Sequence, residues 1–182
     1  MKAAVSLVTV HPEEFYARAT LKVAKDLLGC YLNRCLPSGI ILSAEITEVE
    51  AYTADDPACH AFKGKTKRTE IMFGPPGRAY VYFIYGMYYC LNVVTEPDGI
   101  PGAVLIRGLK GVGLNGPGKI CKHWQIDRDL NGANLIYPDS SLWVTKRPSG
   151  LKPKIQTSSR IGISQAQDRL WRFYTQNNAD TK

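Results

Sequence analysis

The alternation of apolar and polar residues predicts a chain built mostly of β-strands, with a few short helices. Apolar residues spaced three and four apart predict helices at residues 12–18, 20–28 and 117–124. Alternating or continuous apolar runs predict strands at residues 30–36, 40–52, 79–92 (as a hairpin), 103–109, 142–145 and 170–175. No internal repeat or linker interrupts this series, so we expect one domain over residues 1–182, with 175–182 as a frayed tail.

The tyrosine-rich stretch at residues 79–92 predicts a β-hairpin that projects from the domain. It holds half of the ten tyrosines, and its turn contains Gly86 between Tyr85 and Met87. Hairpin tips normally carry Asn, Asp or Gly, because an aromatic ring and a thioether leave apolar surface in water. Either another part of the fold covers the tip, or Tyr85 is a wedge that enters between stacked bases.

The length of the hairpin loop decides which side chains share a face. A two-residue loop would turn Tyr82 and Asn92 to opposite faces. A three-residue loop over residues 85–87 would place four residues on one face: Tyr80, Tyr82, Cys90 and Asn92. We expect the three-residue loop, because it groups the polar-tipped side chains and leaves Tyr85 free to project.

Two carboxylates stand where the long strand at residues 40–52 should bury its apolar face. If the strand is regular, Glu48, Glu50 and Tyr52 continue the apolar face that its first half begins. Burying a carboxylate is costly unless it is paired or hydrogen-bonded. The glutamates therefore form a structural ion pair, reach solvent at the strand end, or include a general base held in an enclosed pocket. Arg107, near the end of the strand at 103–109, is either their partner or a further site residue.

Charge favours a polyanionic partner. The chain has 23 basic and 16 acidic residues, a net charge of +7. The basic residues cluster in loop-like stretches at 63–68, 119–122 and 146–154. Such clusters are often only a solvated surface, but beside an aromatic hairpin they fit a surface that follows a phosphate backbone.

Other site classes find less support. The five cysteines form no CxxC pair, which favours a reducing cytoplasm over secretion. We expect neither a signal peptide nor a membrane span. Asp55, Asp56 and His60 lack a second histidine at ligand spacing, so we expect no metal. The glycine-rich stretch at 111–118 lacks Walker spacing, although its amides and Lys119 could hold one backbone phosphate.

These pieces together resemble the alkyladenine (3-methyladenine) DNA glycosylases of the mammalian type, which also occur in bacteria. The matching segments are EVEAY at 48–52, MFGPPG at 72–77, YVYFIYGMYYCLN at 80–92, VLIR at 104–107, NGPGK at 115–119 and SRIGI at 159–163, with His60 and Arg68. The match runs through nearly the whole chain in order. Only residues 108–115 depart from it, because relatives usually carry a longer, helix-containing segment there, which bears on DNA-backbone contacts but not on the pocket.

The resemblance implies a fold and an activity. The fold would be a single α+β domain around a curved antiparallel β-sheet, with surrounding helices and the protruding hairpin. The activity would be a DNA repair glycosylase that flips alkylated or deaminated purines out of duplex DNA. It would hydrolyse the N-glycosidic bond with a water activated by a glutamate and leave an abasic site. We expect a cytoplasmic monomer of bacterial type that acts on damaged double-stranded DNA without a cofactor or metal.

The resemblance also implies a role for individual residues. Glu50 would activate the attacking water, and Arg107 and the carbonyl of Ile161 would hold that water. Four residues would line the base pocket, Asn92 by crowding the amine of normal guanine: Tyr52, His60, Tyr82 and Asn92. Tyr85 would fill the space left by the flipped nucleotide. Four residues would contact the DNA backbone: Arg68, Met87, Lys119 and Arg160.

Elementary chemistry agrees with these roles. N-alkylated purines carry positive charge and leave readily, so the site needs little acid catalysis. A cationic base between aromatic faces gains roughly 1–2 kcal/mol, and a carboxylate beside the sugar both takes a proton from water and stabilises the developing cation. Two alternatives remain: a non-catalytic nucleic-acid binder of the same fold, and a small-molecule enzyme with a related barrel. The first has no reason to retain Glu50 and Arg107, and the second explains neither the basic surface nor Tyr85.

Overall fold

The computed structural model describes residues 9–137 and 140–175 and has an antiparallel sheet of eight strands at its centre. The strands are β1 Tyr31–Cys35, β2 Ile41–Thr53, β3 Ala79–Ile84, β4 Tyr88–Val94, β5 Gly102–Leu109, β6 Leu142–Thr145, β7 Ile155–Ser158 and β8 Arg172–Thr175. The helices are α1 Glu13–Tyr16, α2 Thr20–Leu27 and α3 Pro117–His123, with 3-10 turns at Glu70–Phe73 and Arg128–Leu130. The α+β fold and its curved antiparallel sheet are therefore confirmed.

The long strand β2 joins the two halves of the sheet. The strand order is β3-β4-β5-β2-β1-β6, and β8 pairs with both β2 and β7. The first part of β2 pairs with β1, while its second part lies between β5 and β8. Because one strand serves both halves, the sheet curls around a core that α2 and α3 cover with buried apolar residues.

A β-bulge changes the face that β2 turns to the core. Its pairing with β5 shifts register on both sides of Glu48. Before the bulge Ile46 belongs to the main core, and after it Val49 and Ala51 do. The assumption of a regular strand is therefore wrong. Beyond the bulge the odd positions face the core, and Tyr52 packs instead in a second, smaller apolar cluster.

Most predicted elements are present, with differences at their ends. β6 has the predicted bounds, and α2 and α3 each end one residue before the prediction. β7 was not predicted, since its residues are mostly exposed and carry little apolar pattern. Thr175, assigned to the frayed tail, is the buried last residue of β8. The rest of that tail, residues 176–182, lies outside the described residues.

Candidate active site

The hairpin of β3 and β4 has the expected three-residue loop. Tyr82 lies opposite Cys90, and Tyr80 lies opposite Asn92. All four side chains line one cavity of about 530 Å³, a size typical of small-molecule sites. Tyr85 and Gly86 both have positive φ, 54° and 67°. The register that groups the polar-tipped side chains is therefore confirmed.

This cavity, called the base pocket below, has mostly aromatic and small apolar walls. Its walls come from β2, β3, β4, β5, the loop at 57–60 and the loop at 161–165: they include Tyr52, His60, Met72, Tyr80, Tyr82, Tyr88, Cys90, Asn92, Ala103, Leu105, Arg107 and Ile161. Tyr88 packs closely on Gly118, where an added Cβ would lie 2.9 Å from the ring. The hairpin is thus seated on the start of α3, which fixes one wall.

Three rings form the aromatic side of the base pocket. The Tyr80 and Tyr82 ring centroids are 5.4 Å apart, and His60 packs edge-on against Tyr82 at 4.6 Å. Nδ1 of His60 lies 2.9 Å from the Tyr80 hydroxyl. Desolvation of the ring, aided by the nearby Arg68, lowers the pKa of His60 to about 4, so His60 is neutral at pH 7. The Arg68 guanidinium lies 5.3 Å from the Tyr82 ring centroid.

Glu50 lies beneath the base pocket, with a side chain that is 0% exposed. Its Oε2 accepts a hydrogen bond from the Tyr52 hydroxyl (2.7 Å), and its Oε1 accepts one from the backbone N–H of Ile161 (2.8 Å). Burial raises the pKa of Glu50 above its ordinary value of 4.5, and the nearby Arg107 opposes that rise. A carboxylate oxygen can accept two hydrogen bonds, so Oε2 retains an acceptor site beside the one that the Tyr52 hydroxyl fills.

Arg107 lies between two carboxylates. Its Nε is 3.2 Å from Oε1 of Glu48 and 3.3 Å from Oε1 of Glu50. Oε1 of Glu48 also accepts a hydrogen bond of 2.7 Å from Nε of Arg172, on β8. The structure therefore brings together Glu50 and Arg107, the two residues predicted to be catalytic.

Arg160 is buried and does not fit the DNA-backbone contact expected of it. Its guanidinium pairs through both Nη atoms with the carboxylate of Asp56, and both side chains are 0% exposed. It also donates to the carbonyl of Ala51 and lies 4.7 Å from the Tyr52 ring centroid. We correct the assignment for this reason: Arg160 holds the pocket wall from behind and cannot reach a phosphate in this fold.

Asn92 is buried at the back of the base pocket. Its Nδ2 donates to the carbonyl of Tyr80 at 3.1 Å, across the hairpin pair that the two residues form. This bond fixes the amide plane, so the side chain cannot swing away from whatever occupies the pocket. Asn92 therefore lines the pocket, and its action against normal guanine stays a prediction.

The hairpin tip is exposed and apolar. Tyr85 is 76% exposed and Met87 64%, so nothing among the described residues covers them. Tyr85 also lies at the mouth of the base pocket. Lys119 is exposed and its Nζ is 3.0 Å from Oδ1 of Asn115. Of the four expected backbone contacts, Arg68, Met87 and Lys119 are accessible.

Sequence reasoning missed several residues of this site. Tyr80 was placed on the correct face without a role, yet it is the hydrogen-bond partner of His60. Arg172 was missed because only the pairing of β8 with β2 brings it to Glu48. Asp56 was taken for turn chemistry, and no local signal identifies its role, because its partner Arg160 is 104 residues away in sequence.

Within residues 9–137 and 140–175, no cluster of three or more His, Cys, Asp or Glu side chains could hold a metal ion. No helix in the described part of the chain is both long and apolar enough to cross a membrane.

Comparison with known proteins assigns this sequence to a family. The sequence model for "Methylpurine-DNA glycosylase (MPG)" matches residues 14–114 and 112–179. A protein of Carboxydothermus hydrogenoformans named "Putative 3-methyladenine DNA glycosylase" is 48% identical over 184 residues, covering 92% of this chain and 95% of its own. A protein of the same name from Wolbachia pipientis wMel is 51% identical over 171 residues, covering 91% of each chain. The chain therefore belongs to the methylpurine-DNA glycosylase family.

Proposed function

We propose that this protein removes alkylated purines, 3-methyladenine among them, from duplex DNA by flipping the nucleotide and hydrolysing its N-glycosidic bond. The observation that carries the proposal is the buried carboxylate of Glu50 beneath an aromatic pocket, with the exposed Tyr85 at its mouth. The names of the relatives above and the net charge of +7 support DNA as the substrate.

The base pocket suits a flat cation. Tyr52, Tyr82 and neutral His60 offer ring faces and edges without a positive charge of their own. Such faces stabilise a desolvated cationic base by about 2 kcal/mol. A normal purine is neutral and forgoes this term, so alkylation itself becomes part of what is recognised. Asn92, held by its bond to Tyr80, limits the space for an exocyclic amine.

Glu50 is the general base in this proposal. Its carboxylate takes a proton from the attacking water while the sugar develops positive charge, and the same negative charge stabilises that sugar. Arg107, which lines the pocket beside Glu50, orients the water. The departing alkylated purine leaves as a neutral base, so no general acid is required.

Access to Glu50 requires a small movement. The carboxylate is fully buried, covered by the Tyr52 hydroxyl and the backbone of Ile161. Ile161 begins the irregular loop at 161–165, which lines the base pocket. We propose that docking of the sugar-phosphate displaces this loop enough to admit the water. The Glu50 carboxylate would then be shielded from water until substrate is bound.

Tyr85 is the wedge in this proposal. Flipping a nucleotide costs a few kcal/mol, least at a damaged pair. A ring inserted at the vacated position replaces part of the lost stacking, and Tyr85 is the exposed ring at the hairpin tip. Arg68 and Lys119, both exposed near the pocket, would contact the phosphates on either side.

Release of free base tests the proposal. Duplex DNA methylated with dimethyl sulfate is incubated with purified protein, and released bases are separated by chromatography. We expect 3-methyladenine above the spontaneous rate, with the DNA strand left intact at the abasic site because water, not a lysine, is the nucleophile. Base release equal to that of a heat-inactivated sample would reject the activity, and strand cleavage would reject the hydrolytic mechanism.

A further inference from the structure

The Arg107 guanidinium is shared by two carboxylates rather than committed to one. Its Nε–H is a single donor, and it is hydrogen-bonded to Oε1 of Glu48 at 3.2 Å. The same nitrogen lies 3.3 Å from Oε1 of Glu50. An arginine that faced Glu50 alone would turn toward it and form a closer, more neutralising ion pair.

Glu48 is itself held in place from the other side. Its Oε1 accepts the 2.7 Å hydrogen bond from Nε of Arg172. Arg172 in turn donates from Nη1 to Oγ of Ser158 (2.9 Å) and lies 4.8 Å from the Tyr174 ring centroid. The β7–β8 hairpin therefore fixes Glu48, and through Glu48 it fixes the distance between Arg107 and Glu50.

We propose that Glu48 is a positioning residue that draws the Arg107 guanidinium away from Glu50 and thereby keeps Glu50 a competent general base. The inference rests on the proposed function, since it assigns Glu48 a part in the same reaction. Glu48 acts through Arg107 and is not placed against the substrate. Arg172 donates to the same oxygen of Glu48 and so limits how strongly Glu48 attracts Arg107.

The groups that face Glu50 come from every neighbouring element. They are Glu48 and Tyr52 on β2, Tyr82 on β3, Cys90 on β4, Arg107 on β5, Arg160 in the loop after β7 and Arg172 on β8. Burial raises the pKa of Glu50, Arg107 lowers it, and the negative charge of Glu48 raises it. Tyr52, Tyr82 and Cys90 are neutral at pH 7, because burial raises the pKa of each.

Substitutions of Glu48 and of Arg172 are expected to move the pKa of Glu50 in opposite directions. Glu48→Gln removes a negative charge and releases Arg107 toward Glu50, which lowers the pKa of Glu50. Arg172→Gln removes the competing cation, so Glu48 binds Arg107 more closely and the pKa of Glu50 rises. A charged neighbour at this distance commonly moves a carboxyl pKa by about one unit.

The pH dependence of excision separates these outcomes. Single-turnover excision of 3-methyladenine from dimethyl-sulfate-treated duplex DNA is measured between pH 4.5 and 8.5, with spontaneous release subtracted. We expect the acid limb of Glu48→Gln to move about one unit lower and its plateau rate to fall about tenfold. The acid limb of Arg172→Gln should move to higher pH.

Glu45→Gln is the matched control. Glu45 lies on the same strand in an ion pair with Lys110 (3.7 Å) and does not contact the site. We expect its acid limb and plateau to equal those of the wild type. If Glu48→Gln does not fold, judged by its thermal transition, the direction of the Arg172→Gln shift decides alone.

Two results would overturn the proposal. An acid limb of Glu48→Gln at the wild-type pH would mean that Glu48 does not affect the protonation of Glu50. Shifts of both variants in the same direction would mean that they act through general destabilisation. A wild-type protein that releases no base would instead reject the activity itself.

Discussion

Glu50 and Asp56 are two buried carboxylates that the fold treats in opposite ways. Both side chains are 0% exposed and both have an arginine neighbour. Asp56 accepts hydrogen bonds from both Nη atoms of Arg160 and from the backbone N–H of Ala58, so one arginine is committed to its charge. Glu50 accepts hydrogen bonds from the Tyr52 hydroxyl and the backbone N–H of Ile161, but it shares the nearby Arg107, at 3.3 Å, with Glu48. The shared arginine of Glu50 fits the general base proposed above, whereas the committed arginine of Asp56 fits a structural role.

Tyr52 connects the two carboxylates. Its hydroxyl donates to Glu50, while its ring lies 4.7 Å from the guanidinium of Arg160, which Asp56 holds. The closed pair therefore positions the ring that orients the open carboxylate. The contrast predicts that substitutions at Glu50 act on the reaction, whereas substitutions at Asp56 act on the fold.

The largest effect is expected from Glu50→Gln. The amide keeps the shape of the side chain but cannot take a proton from water, so single-turnover excision should fall by about 10²- to 10⁴-fold. Binding to DNA that contains a methylated purine should remain within a few-fold of wild type, which a gel-shift titration measures. The control is Glu45→Gln. Excision at the wild-type rate would reassign the general base and remove the contrast.

A fold defect is expected from Asp56→Asn. Removing one partner of a buried pair leaves the Arg160 guanidinium uncompensated, which typically costs about 3 kcal/mol of unfolding free energy. Urea denaturation followed by tryptophan fluorescence measures the loss. Asp55→Asn is the matched control. Asp55 is adjacent in sequence and also pairs with an arginine, Arg169 at 3.5 Å, but its side chain is 77% exposed. Equal stability of the two variants would show that the closed pair is not structural.

Tyr85→Ser leaves both carboxylates unchanged, so it tests base flipping separately from the reaction and from the buried ion pair. Loss of one stacking ring is worth about 1–3 kcal/mol, so the flipped complex should weaken about ten- to a hundred-fold. Fluorescence of 2-aminopurine beside the lesion reports the unstacking. Tyr137→Ser removes another exposed tyrosine and should leave this signal unchanged. A lower thermal transition for Tyr85→Ser with normal flipping would contradict the wedge.

The smallest effect is a gain of stability in Glu50→Gln. A carboxyl whose pKa is raised on folding weakens the fold as pH rises from 4.5 through the folded-state pKa, and that cost remains at higher pH. The amide cannot ionise and avoids it, so the variant should melt above the wild type at pH 7 and level with it below pH 4.5. Each kcal/mol corresponds to about 2–4 °C. A lower melting temperature at pH 7 would mean that pairing with Arg107 outweighs burial.

The sequence was sufficient for the parts of the site that lie within one hairpin. The loop length and the pairing of Tyr80 with Asn92 followed from the need to group polar-tipped residues, and the structure has both. Local alternation also predicted β2, β5 and β6, since apolar residues there repeat at the strand period. These features depend on neighbours in sequence, which a single chain displays.

The parts that depend on distant neighbours could not be read in the same way. The bulge at Glu48 requires the pairing of β2 with both β5 and β8, which no local pattern records. The burial of Arg160 depends on Asp56, which is 104 residues away. Family resemblance suggested a phosphate contact for this arginine, because an isolated sequence does not show which cations are already paired.

The bulge at Glu48 decides which side chains of β2 face the core and which face the base pocket. Without the bulge, a regular strand of the same length would direct Glu50 and Tyr52 into the main core and turn Val49 and Ala51 toward the base pocket. A length change in the exposed turn at residues 37–39 would leave both faces intact, because that turn precedes the strand. The irregular pairing at Glu48, a residue that does not line the base pocket, therefore sets the side of the sheet to which Glu50 turns.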